Sequence, residues 1–201
     1  MRTFRWPAVV AVSGVLAAGI LVASYWDRVD HTAIQGRFSA ALGELRSSDI
    51  DQRIQGAQAL QRIAADSPGD QPAVTTELAS FIRSTAGSGH CPDQQVAVDV
   101  QAALSALRLR TPANDLGTVV DLRGTCLRYA EIANISLVYA NLSGADLNGA
   151  NLSWSVLDGA DLTGADLSQA NLSYAHVVDA RMTSANLRDA NLVGVTVNYS
   201  R

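Results

Sequence analysis

The sequence has no lysine and few histidines, cysteines or aromatic residues. All 15 basic residues among the 201 are arginine, and 19 acidic residues give a net charge of −4. This near balance lacks the basic footprint of a nucleic-acid-binding protein, so we expect no nucleic-acid partner. Three histidines and two cysteines do not form a metal-ligand pattern. No Ser/His/Asp spacing or glycine-rich phosphate loop occurs either. The sequence therefore predicts a protein that is not an enzyme, with no catalytic residue, metal or cofactor.

The two cysteines, Cys91 and Cys126, are too few for the disulfide framework of a small secreted domain. They would form one bridge in an oxidising compartment and stay as two free thiols in a reducing one. The sequence leaves both alternatives open.

One long apolar segment, Pro7–Trp26, contains no charged residue. A helix of that length is about 30 Å long and matches the hydrocarbon core of a bilayer. Arg2 and Arg5 precede the segment, and the positive flank stays in the cytoplasm. We therefore expect a single-pass protein of the cell membrane, with residues 1–6 cytoplasmic, 7–26 membrane-spanning and the body extracytoplasmic.

A cleavable signal peptide is the competing interpretation of the same segment. Val22 and Ser24 are small enough to precede a cleavage site. The apolar run is long for such a peptide, however, and it ends in the bulky Tyr25 and Trp26. These features favour an uncleaved anchor.

Residues 31–115 carry apolar residues at helical spacing in four groups, separated by Ser, Asp, Gly and Pro. Ser48 or Asp49 is the expected cap of the second helix and Asp70 that of the third. The region is predicted to form four amphipathic helices that cap the segment after it.

A five-residue repeat runs from Val120 to Tyr199 without an insertion. An apolar residue, mostly leucine, recurs at every fifth position from Leu122 to Val197, in pentads such as ANLSG and ADLTG. A small residue stands two positions before most of these, and Asp or Asn usually lies between. A helix does not complete a whole number of turns per pentad, so it would spread these leucines around its surface. A strand of period two would put alternate leucines on opposite faces. A chain that turns a corner in every pentad buries them all.

Four pentads would close one coil, and residues four pentads apart would stack at about 4.8 Å through parallel hydrogen bonds. We therefore predict a mainly β solenoid of about four coils over residues 120–199. It would follow the helical region 31–115 and the transmembrane helix 7–26.

This segment resembles the pentapeptide-repeat family, whose consensus is a small residue, Asp or Asn, Leu and two variable positions. The resemblance covers about 80 of the 201 residues. It implies a right-handed four-sided parallel β-helix, and with the anchor the chain is similar to membrane-anchored actinobacterial members. Departures from the consensus lie at Thr125, Ile135, Ser155 and Val195.

The repeat suggests where an interaction surface lies. Trp154 and Tyr174 are separated by four pentads and would stack on one outer edge, with Tyr139 one corner away. Clustered exposed aromatics are typical of interfaces; the alternative is that they pack against the helical region. Asp121, Asp146, Asp161 and Asp166 resemble metal ligands but are expected to support the corners.

The open end of the last coil is a second candidate surface. Val195, Val197 and Tyr199 are expected to pair with a second copy of the chain, because an uncovered terminal coil is an unpaired edge. This predicts a homodimer.

The leading hypothesis is thus a non-enzymatic, membrane-tethered interaction or scaffold module with a protein partner that the sequence does not identify. One alternative is a DNA-mimicking regulator of a topoisomerase, a role that some family members have and that requires a long, strongly acidic, cytoplasmic dimer. Another is a structural envelope protein, which differs in having one fixed partner.

Overall fold

The computed structural model describes residues 34–87, 91 and 95–197. The predicted cytoplasmic residues 1–6 and membrane segment 7–26 lie outside the described residues. Within the described ranges, no helix combines the length and the apolar character needed to cross a membrane.

The first part of the described chain is helical. Its four α-helices are α1 (34–45), α2 (Ile50–Asp66), α3 (Gln71–Thr85) and α4 (Val98–Arg108). Short 3₁₀ turns at Pro68–Asp70 and Pro112–Asn114 precede α3 and follow α4, respectively.

The helix starts follow local capping chemistry. The Asp49 carboxylate accepts the backbone N–H groups of Asp51 at 2.8 Å and Gln52 at 3.4 Å, as expected for an N-cap. Asp70 is the N-cap residue of α3, as predicted, but its side chain makes no capping hydrogen bond, because the carboxylate accepts the Ser67 hydroxyl at 2.6 Å. A proline near the start of α3 already removes one N–H that a cap would satisfy.

The helices pack around a common apolar core. Its largest fully buried side chains include Leu60 of α2, Leu78 of α3 and Leu104 of α4. Gly56 lets α1 and α2 approach closely, since a Cβ there would lie 2.8 Å from the Ala41 carbonyl oxygen.

One buried ion pair also joins α2 to α4. Arg53 donates to the Asp99 carboxylate at 2.6 Å, and Asp99 is only 1% exposed. Nη1 of the same guanidinium donates to the Ser47 and Ser48 carbonyls, both at 3.1 Å. These bonds hold the connection between α1 and α2 against the rest of the helical region.

After α4 the chain forms stacked coils, in which each bridging residue pairs in parallel with the residue four pentads further along. The bridges form four columns, such as Asp121–Asn141–Asp161–Arg181 and Glu131–Asn151–Asn171–Asn191. We name the four sides of the first coil one to four. They are the pentads that begin at Val120, Thr125, Ala130 and Ile135, respectively. The pentads stacked on each of these in later coils belong to the same side. Within each pentad, positions 1 to 5 run from the small residue onward.

The pairing differs from a sheet of extended strands. Each side contributes a single-residue bridge, and the described residues contain no longer strand. The reason is local: positions 4 and 5 of each pentad form a turn, in which the N–H of the next small residue bonds to the central leucine carbonyl, as in Ala145 to Leu142 at 3.0 Å. A pentad that includes a corner leaves room for one bridging residue.

The small residue and the central apolar residue of each pentad fill the interior of the coils. Positions 1 and 3 are buried through the first three coils, from Val120 to Val177. Thr125 and Ser155, which depart from the consensus, are also buried, and each hydroxyl donates to the carbonyl of the preceding central leucine at 2.6 Å. These polar residues therefore satisfy their own hydrogen bonds within the corner.

The Asp or Asn at position 2 has a specific backbone role. The turn pairs the N–H of position 1 and the ladder between coils pairs those of positions 2, 3 and 5, which leaves the N–H of position 4 without a backbone partner. The side chain at position 2 accepts this N–H, as Asn141 does from Ser143 at 3.1 Å and Asp166 does from Ser168 at 2.9 Å. The consensus Asp or Asn thus completes the hydrogen bonding of the pentad.

The helical region covers the first coil on all four sides. Arg83 donates to the Asp121 carbonyl on side one, and Arg110 donates to the Ser136 carbonyl on side four, at 2.6 Å. On side two the Ala86 carbonyl accepts the N–H of Cys126 at 2.7 Å. On side three the amide of Gln101 imitates a peptide group, since it donates to the Glu131 carbonyl and accepts the Glu131 N–H, both at 2.9 Å. The edge of the first coil is therefore paired rather than open.

Candidate interaction surface

The aromatic residues singled out by the sequence stand at corner positions with an unusual backbone. Position 5 of each pentad has a positive φ, which glycine adopts without cost. Trp154, Tyr174 and Tyr139 occupy this position with φ values of 61°, 59° and 55°. Bulky residues are rare in this region of φ/ψ space, and such strain persists where other interactions or functions require the side chain.

Trp154 and Tyr174 form one stacked pair on the outer edge. Their ring centroids are 4.4 Å apart and their planes differ by 15°. The two residues are 58% and 46% exposed. Tyr174 also covers Gly194 of the next coil, where a Cβ would come within 2.6 Å of the tyrosine ring. The pair thus forms one exposed aromatic ridge on the outer edge.

Tyr139 lies at the next corner and is separate from this pair. It is 70% exposed and covers Gly159 of the coil above it. It also lines a groove of about 380 Å³ between the first coil and the connector that follows α4. Other residues of this groove include Pro112, Val119 and Val138.

Side four joins these two aromatic corners, and it is not among the surfaces predicted from the sequence. Three of its seven described outward positions are valine, whereas the same positions on the other sides are almost all polar. The seven are Ser136, Val138, Val156, Asp158, His176, Val178 and Thr196. Val138 is 38% exposed. Comparison of the outward positions column by column, instead of the corners alone, would have revealed this apolar face.

The last described coil is more open than the others. Val195 is partly buried and Val197 is 41% exposed, while Tyr199 lies outside the described residues. Leu192, at a position that is buried in the three coils before it, is 48% exposed. The N–H groups of Met182 and Leu187 have no partner in the described ranges. The last described coil thus exposes both apolar interior and backbone N–H groups that have no partner in the described ranges.

Cys91 and Cys126 form a disulfide, with their Cα atoms 5.5 Å apart. The bridge attaches the segment between α3 and α4 to side two of the first coil. Next to it, Gly87 pairs with Thr125 in an antiparallel bridge. The two linkages hold the helical cap on the coil at the same place.

The carboxylates considered as metal ligands have other partners. Asp146 and Asp166 accept backbone N–H groups within their own pentads, at 3.0 and 2.9 Å. Asp121 pairs with Arg83 and Arg123, and Asp161 accepts the N–H of Thr163 at 3.0 Å. Across the ranges that the structure covers, no three His, Cys, Asp or Glu side chains converge as metal ligands.

Comparison with known proteins identifies the repeat. Residues 120–198 match the family model for pentapeptide repeats in eight copies. The C-terminal segment therefore consists of pentapeptide repeats, which confirms the resemblance drawn from the sequence. A search of curated proteins finds no match to this chain.

Similar solved structures are also pentapeptide repeat proteins. One from the cyanobacterium Cyanothece 51142 is 36% identical over 39% of this chain and 53% of its own length, with a TM-score of 0.39. One from Nostoc PCC 7120 is 44% identical over 38% of this chain and 64% of its own, with a TM-score of 0.38. HetL, a protein of Nostoc sp. strain PCC 7120 involved in heterocyst differentiation regulation, is 32% identical over 44% of this chain and 43% of its own, with a TM-score of 0.24. This chain thus spans about half to two thirds of the length of the first two.

Proposed function

We propose that this pentapeptide-repeat protein is a non-enzymatic protein-interaction or scaffold module. In this proposal the repeats form a right-handed four-sided β-helix, residues 7–26 anchor the chain in a membrane and the body lies outside the cytoplasm. The observation that carries the proposal is the exposed stack of Trp154 and Tyr174. Aromatic side chains present a large contact area with few rotatable bonds, and they are enriched at protein interfaces.

Three features support recognition over catalysis. The two rings are already stacked on each other without a partner, and side chains that are ordered before binding lower the entropy cost of association. It stands on a backbone position where glycine would be less strained, so a structural need alone does not account for tryptophan there. The described surface near it carries backbone and side-chain hydrogen-bonding groups but no nucleophile paired with a base.

Site-specific photo-crosslinking in cells tests the interaction. A photoreactive amino acid replaces Ser173, beside Tyr174 on side three, or Ser143, at the matching position of side one. We expect adducts from position 173, their loss when Trp154→Gly is added, and none from position 143. Equal adducts from both positions, or none from 173, would overturn the proposal. A single constant adduct under all growth conditions would favour the structural envelope alternative.

The disulfide supports an extracytoplasmic body, because such bridges persist in oxidising compartments. Labelling with a membrane-impermeant thiol reagent tests this placement. We expect intact cells to label Cys91 and Cys126 only after reduction. Labelling that requires lysis would place the body in the cytoplasm and return the DNA-mimicking alternative to consideration.

The charge pattern does not favour a DNA mimic. Between residues 120 and 197 there are eight carboxylates and four arginines. Part of this charge is paired within the coils, as in Arg128–Asp146 at 3.3 Å and Arg123–Asp121 at 3.1 Å. A surface that imitates the phosphate rows of DNA requires a denser and unpaired negative charge.

A further inference from the structure

The connector between α4 and the first coil, residues 109–119, contains a tight turn that presents a leucine to solvent. The Thr118 N–H bonds to the Asp115 carbonyl at 2.8 Å. The two residues between them, Leu116 and Gly117, both have a positive φ, of 49° and 83°, as in a type I′ turn. Asparagine, aspartate and glycine dominate such turns, because a bulky side chain is strained there. Leu116 is nevertheless 78% exposed, so neither the turn nor the core accounts for a leucine at this position.

Buried polar contacts hold the base of this turn. Asp115 is 9% exposed, and its carboxylate accepts hydrogen bonds from Gln71 at 2.8 Å and from Arg110 at 3.0 Å. The Gln71 amide also exchanges two hydrogen bonds with the backbone of Thr111, at 2.7 and 3.1 Å. Leu116 therefore projects from a turn that the helical region holds in place.

Other exposed apolar residues surround the turn. Val119 and Tyr139 are 50% and 70% exposed, and both line the groove of about 380 Å³ together with Gly117. We call Leu116, Val119 and Tyr139 the connector surface. Asp115 is the one carboxylate in the sequence of the connector, and its ion pair with a buried arginine neutralises it. The connector surface is thus apolar, and the negative charge beneath it is compensated.

The connector surface lies at the end of the helical region where the described chain begins. Near the start of α1, Arg37 pairs with Asp66, the last residue of α2, at 2.9 Å. A short turn leads from there to Gln71, which bonds to the connector. Seven residues, 27–33, separate the described chain from the apolar segment 7–26, and seven residues span at most about 25 Å. An anchor at residues 7–26 therefore keeps this end of the body close to the bilayer.

We propose that the connector surface is a second membrane contact, in which Leu116 enters the face of the bilayer that holds residues 7–26. This inference rests on the membrane anchor of the proposed function. Leu116 reaches the boundary between headgroups and acyl chains, and Val119 adds to the apolar area of the contact. Tyr139 lies at the level of the headgroups, where tyrosine is enriched. The contact gives the body a defined orientation on the membrane.

A lipid surface fits these residues better than a protein partner does. The anchor keeps the connector surface within reach of the bilayer at all times, so a contact that is weak by itself is enough to hold it there. The phosphates of the lipid headgroups meet no unpaired carboxylate of the connector. A single projecting leucine also inserts among fluid acyl chains without a matching pocket, whereas a folded protein partner would have to supply one.

Lipid quenching of a fluorescent reporter tests the contact. A fluorescent amino acid replaces Val119 in the full chain, which is reconstituted into phosphatidylcholine vesicles containing a lipid with a nitroxide near the start of its acyl chain. The control carries the same reporter at Val98, at the opposite end of α4, which is 61% exposed. We expect quenching at position 119 to be at least three-fold stronger than at position 98. Equal quenching at the two positions would overturn the inference.

The change Leu116→Asn separates membrane contact from folding. Asparagine adopts a positive φ more readily than leucine does, and the side chain that it replaces is mostly exposed. We expect an unchanged or higher unfolding temperature and at least a two-fold loss of quenching at position 119. Val98→Asn, measured with the same reporter, is the matched control and leaves the quenching intact. Quenching that survives Leu116→Asn would show that the turn does not enter the bilayer.

The outcomes distinguish this inference from the proposed function. Flotation of the vesicles shows whether the full chain is anchored, and a chain that does not float with them would refute both the anchor and this inference. A chain that floats but is quenched equally at positions 119 and 98 would refute this inference alone. Protein adducts in cells from a photoreactive amino acid at position 116 would also refute it, because they would place a protein partner on the connector surface. The crosslinks from position 173 test the interaction role by a separate measurement.

Discussion

At the residue scale, one backbone position explains much of the surface. Position 5 of each described pentad has a positive φ, and glycine, aromatic or polar residues occupy it. Tyr129, Tyr139 and Tyr174 each lie over a glycine of the next coil, at Gly149, Gly159 and Gly194. These glycines therefore leave room for the aromatic rings, and they also adopt the positive φ without strain.

The change Gly149→Ala separates these two roles of glycine. Both Gly149 and Gly144 have a positive φ, of 67° and 64°, so alanine at either adds strain of about 1–2 kcal/mol. Only at Gly149 does the new Cβ meet the ring of Tyr129. We expect Gly149→Ala to lower the free energy of unfolding by about 1–3 kcal/mol more than Gly144→Ala, measured by urea unfolding. Equal losses would show that Tyr129 moves aside without cost.

The change Trp154→Gly tests whether the ridge serves stability. It removes an aromatic stack worth about 0.5–1.5 kcal/mol and relieves a positive φ that costs a bulky residue a similar amount. We expect the free energy of unfolding to change by less than about 1 kcal/mol in urea denaturation, because the two effects oppose each other. A loss above about 2 kcal/mol would mean that the stack holds the coils together and is not chiefly a binding surface.

At the element scale, the coils are easier to predict from the sequence than the contacts of the helical region that covers the first coil. The phase of the leucines predicts which side chains are buried, and the Asp or Asn that precedes most of the leucines indicates a corner with its own hydrogen bond. The pairing of Gln101 with Glu131 and of Arg110 with Ser136 depends on where α4 lies relative to the first coil. No local pattern contains that information. To predict the valines on the surface of side four, one needs to know both that four pentads close one coil and which residue occupies each outward position.

The close contact of α1 with α2 depends on Gly56, and Gly43 provides a matched control in the same region. Gly56→Ala places a methyl group against the α1 backbone at Ala41 and Leu45, whereas Gly43 has open space around it. We expect Gly56→Ala to destabilise by about 1–3 kcal/mol through overpacking. Gly43→Ala should stabilise by about 0.5–1 kcal/mol, because alanine is the better helix former. Thermal unfolding followed by circular dichroism measures both, and stabilisation by Gly56→Ala would contradict the close packing.

At the scale of the whole molecule, the two ends of the coil stack differ. The first coil is paired with the helical region on every side, and its interior is buried. The last coil exposes Leu192 and Val197 and leaves backbone N–H groups without partners in the described ranges. An open edge with an apolar interior is a template for association. We therefore expect self-association to involve the last described coil.

This asymmetry predicts a homodimer joined through the last coils. A closed two-fold pair would cover both exposed interiors at once and satisfy the open edge. We expect analytical ultracentrifugation in density-matched detergent to give a dimer for the full chain. Leu192→Glu or Val197→Glu should give a monomer, because a carboxylate buried in the contact costs several kcal/mol unless it is paired. Val119→Glu, at an exposed valine of the opposite end, should leave the dimer intact. A native chain that is monomeric, or a dimer that persists in both end variants, would show that the open coil is stable in water.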